Sequence, residues 1–388
     1  METREATGAR SGKRALLLLL DGCRPDAMLA AKTPHLKSLA FEGGAFSFHV
    51  DCGGIPLSAP CWTTILTGVS QGKHRVSSND LDRLLQLNAE GRVDVLPDTT
   101  CTCFAARGPL CSIFSQAKSR SGSAHPLPDT VFQSLATSSR RSVLFTAGTW
   151  EGLGRLAAMP AGCREKEVEH SSLHVRHFAS DQVHELQASE DAVSAAEALI
   201  MDEDGATCPD LLAIYTHAID GAGHTHGFGF EVSQYRAAIE HVDLLVGRLV
   251  HAVGNRIQKQ HEDWLIIVTT DHSGTSQARM PRKMRSEFRE CGCLHKGIPQ
   301  KDLPGVHGLR EFLQHTQTFQ ILGKAGQLDA GEMLPSPEPE DIVPTLLHHL
   351  LGDSLRWDSS SEMSGKVRGF LPDVPPLDLC NEEDKRPL

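Results

Sequence analysis

The chain has 388 residues, enough for one large α/β domain or for two to three smaller ones. Hydrophobic residues make up 40% of it and charged residues 22%, which excludes disordered and collagen-like architectures. The net charge of −11 argues against a protein that binds nucleic acid through its whole surface, so we expect no stable nucleic-acid partner.

Four short apolar runs predict buried strands, at residues 15–20, 141–146, 211–215 and 264–269. Between the last two, apolar residues recur every three or four positions over 232–254, which predicts an amphipathic helix. A further strand is expected at 316–322 and a last helix at 340–351. This alternation predicts an α/β fold with a mostly parallel central sheet sandwiched by helices.

Two segments interrupt the alternation. Residues 98–140 are rich in Ser, Pro and Cys, and residues 279–301 are rich in Arg and Lys. We therefore predict one domain over 1–371, with insertions or cap segments at 98–140 and 275–304, and a tail at 372–388. We interpret the basic segment as a lid whose Arg282, Lys283 and Arg285 bind an anionic substrate; the alternative is a solvated loop.

We expect no signal peptide. The apolar run at 15–20 is too short to span a membrane and has no small-residue cleavage site behind it. The 11 Cys are scattered, unlike the framework of a small disulfide-rich scaffold. We therefore expect a cytoplasmic protein without a membrane span, of unknown oligomeric state.

Three of the predicted strands are followed by carboxylates. The chain also holds an unusually high number of His, 20, and histidine is the commonest metal ligand in proteins. Asp21 follows the first strand, Asp220 and His224 lie in the loop after the third, and Asp271 and His272 follow the fourth. Each alone has another explanation as a turn or capping residue. Because ligands gather at the carboxyl ends of strands in open α/β sheets, their coincidence predicts a metal site.

A candidate nucleophile, Ser58, stands at the start of a predicted helix. A hydroxyl there benefits from the positive end of the helix dipole, which suits an alkoxide or a bound phosphoryl group. The alternative is that Ser58 only caps the helix. The sequence pattern by itself favours the capping role.

With these residues the chain resembles the alkaline phosphatase superfamily, specifically its nucleotide pyrophosphatase/phosphodiesterase-like branch. The resemblance extends over residues 15–352, and the pieces occur in the order expected. They are Leu-Leu-Asp21-Gly, Ser58-x-Pro60 with Leu66-Thr67-Gly68, His74 and Asn79, Asp220-x-x-Gly223-His224-x-x-Gly227, Thr270-Asp271-His272, Gly305-Val306-His307-Gly308, and Asp341-Ile-Val-Pro344-Thr345.

The resemblance implies a three-layer alkaline phosphatase-like fold and a site with two divalent metal ions, expected to be Zn²⁺, with Mn²⁺ or Fe as alternatives. It assigns one ion to Asp220, His224 and His307. The other belongs to Asp21, Asp271 and His272, with Ser58 as metal-bridging nucleophile and phosphoseryl carrier. Asn79 is implied to donate to a phosphate oxygen and so to take part in catalysis and substrate binding. At the family's His-Gly turn, Arg75 replaces the Gly after His74, so we expect a structural role for His74.

The resemblance leaves the substrate open. We expect a small anionic phosphate ester, with a nucleotide as one candidate, hydrolysed by a phosphodiesterase or pyrophosphatase activity. Alternatives on the same fold are a phosphomonoesterase and a sulfatase-like hydrolase. The sulfatase signal would place Arg at the fifth position from Ser58, where this chain has Trp62. A member of another class, an inactive binding or scaffold protein, is the remaining alternative.

Overall fold

The computed structural model describes ten stretches of the chain, residues 12–79, 127–158, 172–202, 207–280, 294–295, 298–299, 304–308, 316–324, 332–352 and 363–368. Most of the predicted insertion at 98–140 lies outside them, as do the lid residues Arg282, Lys283 and Arg285 and the tail at 372–388. Within the described residues, no helix combines the length and apolar character needed to cross a bilayer.

Strands and helices alternate along the chain. The order is β1 (Lys13–Leu20), α1 (Pro25–Ala30), α2 (Pro34–Phe41), β2 (Gly44–Asp51), α3 (Ser58–Thr67), α4 (Gln71–His74), α5 (Val131–Thr137), β3 (Ser142–Gly148), α6 (Gly152–Ala157), β4 (Leu173–Ala179), α7 (Glu185–Ile200), β5 (Leu211–Thr216), α8 (Ala218–His226), α9 (Ser233–Gln260), β6 (Asp263–Thr269), β7 (Thr275–Ser276), a 3₁₀ turn (Gln277–Arg279), β8 (Leu294–His295), β9 (Ile298–Pro299), β10 (Gly305–Val306), β11 (Gln317–Lys324), β12 (Glu332–Met333), a second 3₁₀ turn (Pro339–Asp341) and α10 (Ile342–Leu351).

The central sheet has the strand order β12-β2-β11-β6-β1-β5-β3-β4 in the described part of the chain. Strand β1 pairs in parallel with β5 on one side and β6 on the other. Only β11 among these strands runs against the rest, since it is antiparallel to both β2 and β6. The predicted mostly parallel α/β sheet is confirmed.

Both faces of the sheet are covered by helices, which explains why β1 is an almost unbroken run of Leu. Leu16, Leu18 and Leu20 point into a core shared with α1, α2, α7 and α9. Ala15, Leu17 and Leu19 point to the opposite face, into a core shared with α3, α5, α6 and α10. Strand β1 therefore lies at the centre of a three-layer structure.

Part of the segment predicted as an insertion belongs to this core. Residues 131–137 form α5, which begins with a capping box between Thr130 and Gln133. Its side chains Val131, Phe132 and Leu135 are buried on the face that also holds α3 and α10. Residues 131–137 thus pack within one helical layer of the fold.

Candidate metal centre

The site forms where the sheet topology brings three carboxylates together. Strands β6, β1 and β5 are neighbours and run in the same direction, so their carboxyl ends meet at one edge. Asp21 follows β1, Asp271 lies two residues after β6, and Asp220 stands in the first turn of α8, which follows β5. All three side chains are fully buried, with at most 1% of each residue exposed.

The first cluster is made by Asp21, Asp271 and His272. The Nε2 atom of His272 lies 3.2 Å from Asp271 Oδ2 and 3.6 Å from Asp21 Oδ1. The second oxygen of each carboxylate has a donor: the backbone N–H of Gly22 donates to Asp271 Oδ1 at 3.1 Å, and Tyr215 donates to Asp21 Oδ2 at 2.6 Å. These bonds fix the carboxylates with one oxygen each turned toward His272.

The second cluster is made by Asp220, His224 and His307. Asp220 Oδ2 lies 3.2 Å from His224 Nε2, and the two Nε2 atoms of His224 and His307 are 3.1 Å apart. The Nδ1 of His224 donates to the carbonyl of Gly305, and the Nδ1 of His307 to that of Pro56, both at 3.0 Å. Each ring therefore presents the lone pair of its Nε2 to the cluster, as metal-binding imidazoles do.

These distances fit divalent cations. A tetrahedral ion with bonds of about 2.0 Å holds its ligand atoms about 3.3 Å apart, close to the separations of 3.1–3.2 Å found in both clusters. Among the buried oxygen atoms of the described residues that receive no hydrogen bond are Asp21 Oδ1, Asp220 Oδ1 and Asp271 Oδ2. Buried carboxylate oxygens without donors are costly unless a cation satisfies them. His272 borders both clusters, because its ring also groups with Asp220 and His307.

The pKa values of the three aspartates also indicate that this site favours a bound cation. Burial and the nearby charge of Asp220 raise the pKa of Asp21 to about 6. Burial and the charge of Asp21 raise the pKa of Asp271 well above its usual range. Burial also works against ionised Asp220, but His224, His217 and His307 outweigh it and hold its pKa well below the usual value. A bound cation would relieve the repulsion between Asp21 and Asp271.

Ser58 is the first residue of α3, and the capping position belongs to Leu57, so Ser58 does not cap the helix. Its hydroxyl Oγ lies 3.3 Å from His272 Nε2. Asn79 is held beside it, because Asn79 Oδ1 accepts a hydrogen bond from the backbone N–H of Ala59 at 2.8 Å. The group that Asn79 can offer to a phosphate is therefore its Nδ2 amide.

The neighbouring turn has a structural explanation. His74 Nε2 lies 2.9 Å from Thr64 Oγ1, and burial lowers the pKa of His74 to about 3. Arg75 has a φ of 61°, a left-handed conformation that glycine adopts without strain. Arg75 therefore stands in a glycine-like backbone conformation at the position where the family resemblance places Gly.

Sequence reasoning missed four residues that hold the candidate ligands. Trp62 donates from Nε1 to Asp21 Oδ2 at 3.3 Å, which adds to the bond from Tyr215. His217 lies 3.2 Å from Asp220 Oδ2 through its Nε2 atom and 2.8 Å from Glu185 Oε1 through its Nδ1 atom. His217 directly precedes α8, the helix that the structure forms where the sequence predicts a loop with Asp220 and His224. This closeness in sequence could have found His217, whereas no local pattern marks Glu185.

A buried aromatic ring supports the histidines. The Phe228 ring meets His224 edge-on, with centroids 5.4 Å apart, and His307 likewise at 6.2 Å. A Cβ added at Gly223, Gly274 or Gly305 would lie 2.2 to 2.7 Å from an atom of this ring. The ring therefore fills a space that only glycine backbones leave open.

The sheet, its order of ligands and the buried Asp/His clusters define a member of the alkaline phosphatase superfamily. The family model for type I phosphodiesterase / nucleotide pyrophosphatase matches residues 15–287, more than half of the chain. The chain belongs to this family and is a phosphoric ester hydrolase, and members of the family depend on divalent metal ions. No curated protein matches the chain significantly.

Solved structures share the fold. Murine ectonucleotide pyrophosphatase / phosphodiesterase 5, an inactive variant in complex with AMP, is similar with a TM-score of 0.55 and 14% identity, over 89% of this chain and 97% of that one. The human protein of the same name gives 0.54 and 14%, over 87% and 95%. The lipoteichoic acid synthase LtaP from Listeria monocytogenes gives 0.51 and 12%, over 92% and 78%.

Proposed function

We propose that the chain hydrolyses phosphodiester or pyrophosphate bonds with two divalent metal ions and with Ser58 as the nucleophile. The observation that carries the proposal is the position of the Ser58 hydroxyl, 3.3 Å from His272 Nε2, beside two clusters whose carboxylates retain oxygens without hydrogen bonds. One ion would be held by Asp220, His224 and His307. The other would be held by Asp21, Asp271 and His272, with Ser58 adjacent to both.

Bound divalent cations would neutralise the phosphate oxygens and lower the pKa of the Ser58 hydroxyl. The Ser58 oxygen loses its proton and attacks phosphorus while the bond to the leaving group breaks, which releases an alcohol from a diester or a phosphate from a pyrophosphate and leaves a phosphoseryl intermediate. Water then attacks phosphorus, the bond to Ser58 breaks, and a proton from the water returns to the Ser58 oxygen. The start of α3 turns the positive end of the helix dipole toward the transferred group, and the Asn79 Nδ2 amide donates to one of its oxygens.

Zinc is the metal that we expect, since both clusters offer imidazole nitrogens and carboxylate oxygens at separations suited to tetrahedral coordination. Mn²⁺ and Fe tolerate the same ligand types. For the organic part of the substrate we propose a nucleotide, in keeping with the family and with the AMP complex of the murine relative. The basic residues Arg282, Lys283 and Arg285 remain proposed substrate contacts from their charge alone.

A sulfatase is disfavoured by the role of Trp62. Sulfatases use Arg at the fifth position from the nucleophile, and here that position donates a hydrogen bond to Asp21. A phosphomonoesterase is the second candidate, and it uses the same metals and serine. Substrate preference distinguishes a phosphomonoesterase from a diesterase. Bound metal distinguishes both enzymes from a binding protein that has lost its metal ions.

The test compares hydrolysis of bis-p-nitrophenyl phosphate, p-nitrophenyl phosphate and a p-nitrophenyl nucleotide ester by the wild type and by Ser58→Ala. We expect the diesters to be preferred, and Ser58→Ala to abolish turnover while it keeps its metal content. Thr63→Ala is the matched control, because the Thr63 hydroxyl on the same helix donates to the Ala59 carbonyl at 2.7 Å. Turnover retained by Ser58→Ala would contradict the assigned nucleophile, and a preference for the monoester would contradict the diesterase.

A further inference from the structure

A buried chain of side chains behind Asp220 has no part in the reaction proposed above. Glu185, the first residue of α7, accepts a hydrogen bond from His217 Nδ1 at 2.8 Å, and the opposite ring nitrogen of His217 lies 3.2 Å from Asp220 Oδ2. The residues Glu185 and His217 are each 3% exposed. Carboxylate, imidazole and carboxylate thus form one line that ends on a candidate metal ligand.

The surroundings of this line are shaped to hold it. Thr149 donates to Glu185 Oε1 through its hydroxyl at 2.6 Å and through its backbone N–H at 3.2 Å. A Cβ on Gly221 would lie 1.9 Å from Glu185 Oε2, and a Cβ on Gly148 would lie 2.6 Å from the His217 Cβ. Gly221 therefore allows Glu185 to approach α8, and Gly148 allows the end of β3 to approach His217.

We propose that His217, held by Glu185, is a positioning residue that fixes the plane of the Asp220 carboxylate and thereby the affinity of the ion bound with His224 and His307. His217 contacts Asp220 Oδ2, and the other oxygen, Oδ1, receives no hydrogen bond and lies 3.8 Å from His307 Nε2. Without His217, Asp220 could rotate about its side-chain bonds. The inference rests on the proposed function, because it requires the metal ion.

His217 reaches the candidate ligands through its 3.2 Å contact with Asp220 Oδ2. The cluster of Asp21, Asp271 and His272 has donors of its own, Tyr215 and the Gly22 backbone. Loss of His217 should therefore weaken one ion much more than the other. A general loss of folding would weaken both, so the selectivity of the effect distinguishes positioning from stability.

The experiment titrates zinc into the apoprotein against a chromogenic chelator and follows occupancy rather than activity. We expect two equivalents in the wild type, with one of them bound about 10- to 100-fold more weakly in His217→Ala and Glu185→Gln, the usual cost of losing an outer partner of a metal ligand. His217→Gln, whose amide N–H can donate to Asp220 Oδ2, should recover part of the affinity. His349→Ala is the matched control, since that buried His contacts the Arg14 carbonyl, remote from the site.

The outcomes separate the two proposals. Selective weakening of one equivalent by His217→Ala and Glu185→Gln, with His349→Ala unchanged, supports the positioning role. Wild-type affinity for both equivalents in His217→Ala, with a normal circular dichroism spectrum, overturns the positioning role and leaves the proposed function intact. A wild type that binds no zinc, manganese or iron overturns the proposed function and this inference with it.

Discussion

Tyr215 donates a 2.6 Å hydrogen bond to Asp21 from the strand next to the one that Asp21 follows. The bond arises from the parallel register of β1 and β5, which pairs Leu19 with Tyr215 and places the Tyr side chain at the end of β1. Trp62 from α3 donates to the same Asp21 oxygen. Two donors on Oδ2 leave Oδ1 to face His272, so the strand register itself orients a candidate ligand.

Removal of this hydrogen bond should weaken metal binding more than folding. We expect Tyr215→Phe to lower the affinity for one ion by about 10- to 100-fold, because outer partners of metal ligands contribute on that scale. Zinc competition titration measures the effect. His349→Ala is the control, because that buried side chain contacts the Arg14 carbonyl near the start of β1, far from Asp21. Equal metal affinity in the two variants would contradict the role of Tyr215.

Phe228 should matter for both stability and metal binding. Truncation of this fully buried ring to Ala leaves a cavity beside His224 and His307, and we expect the free energy of unfolding to fall by about 3–5 kcal/mol. Urea unfolding measures this loss. Phe132→Ala, in the core on the opposite face of the sheet, should cost a similar free energy without change in metal affinity. Equal metal affinity in Phe228→Ala and Phe132→Ala would contradict the claim that the Phe228 ring holds His224 and His307 in place.

Stability should depend on pH through Glu340. Burial raises the pKa of this carboxyl to about 7, and the nearby negative charges of Glu338, Asp341 and Asp51 add to the effect. The folded chain then holds the proton more tightly than the unfolded chain. The free energy of unfolding should therefore fall as the pH rises from about 4.5 to about 7, by on the order of 3 kcal/mol.

Glu340→Gln, which mimics the protonated form, should remove the part of this dependence that Glu340 contributes. Its stability at pH 8 should exceed that of the wild type, and the two proteins should converge near pH 5. Urea unfolding at both pH values makes the comparison, with Glu42→Gln as an exposed control. A wild-type advantage at pH 8 would show that ionised Glu340 is stabilised rather than penalised by its surroundings.

The sequence predicts the sheet and the three carboxylates because both follow from local patterns. Uninterrupted apolar runs mark strands that are buried on two faces. An Asp within a few residues after such a run lies at the carboxyl edge of the sheet. His307 follows no such run and could be found only from the family resemblance. Its position depends on a short pairing between β7 and β10 and on the carbonyl of Pro56, neither of which has a local signature.

The supporting residues are harder to predict for a related reason. Glu185 begins α7, and 32 positions separate it from His217, so only the packing of α7 against the ends of β3 and β5 brings them together. The sequence marks Trp62 only as a core residue of α3. The partner of its indole N–H, Asp21, follows strand β1, which is distant in sequence. Tertiary contacts of this kind carry no periodicity in the chain.

The central claim is that the two Asp/His clusters hold two divalent ions beside Ser58. Elemental analysis of protein purified without chelator tests it most directly, with Asp220→Asn and Asp271→Asn measured in parallel. We predict close to two equivalents of metal, chiefly zinc, in the wild type and loss of about one equivalent in each variant. Wild-type protein that contains no zinc, manganese or iron, and takes up none when supplied, would contradict the claim.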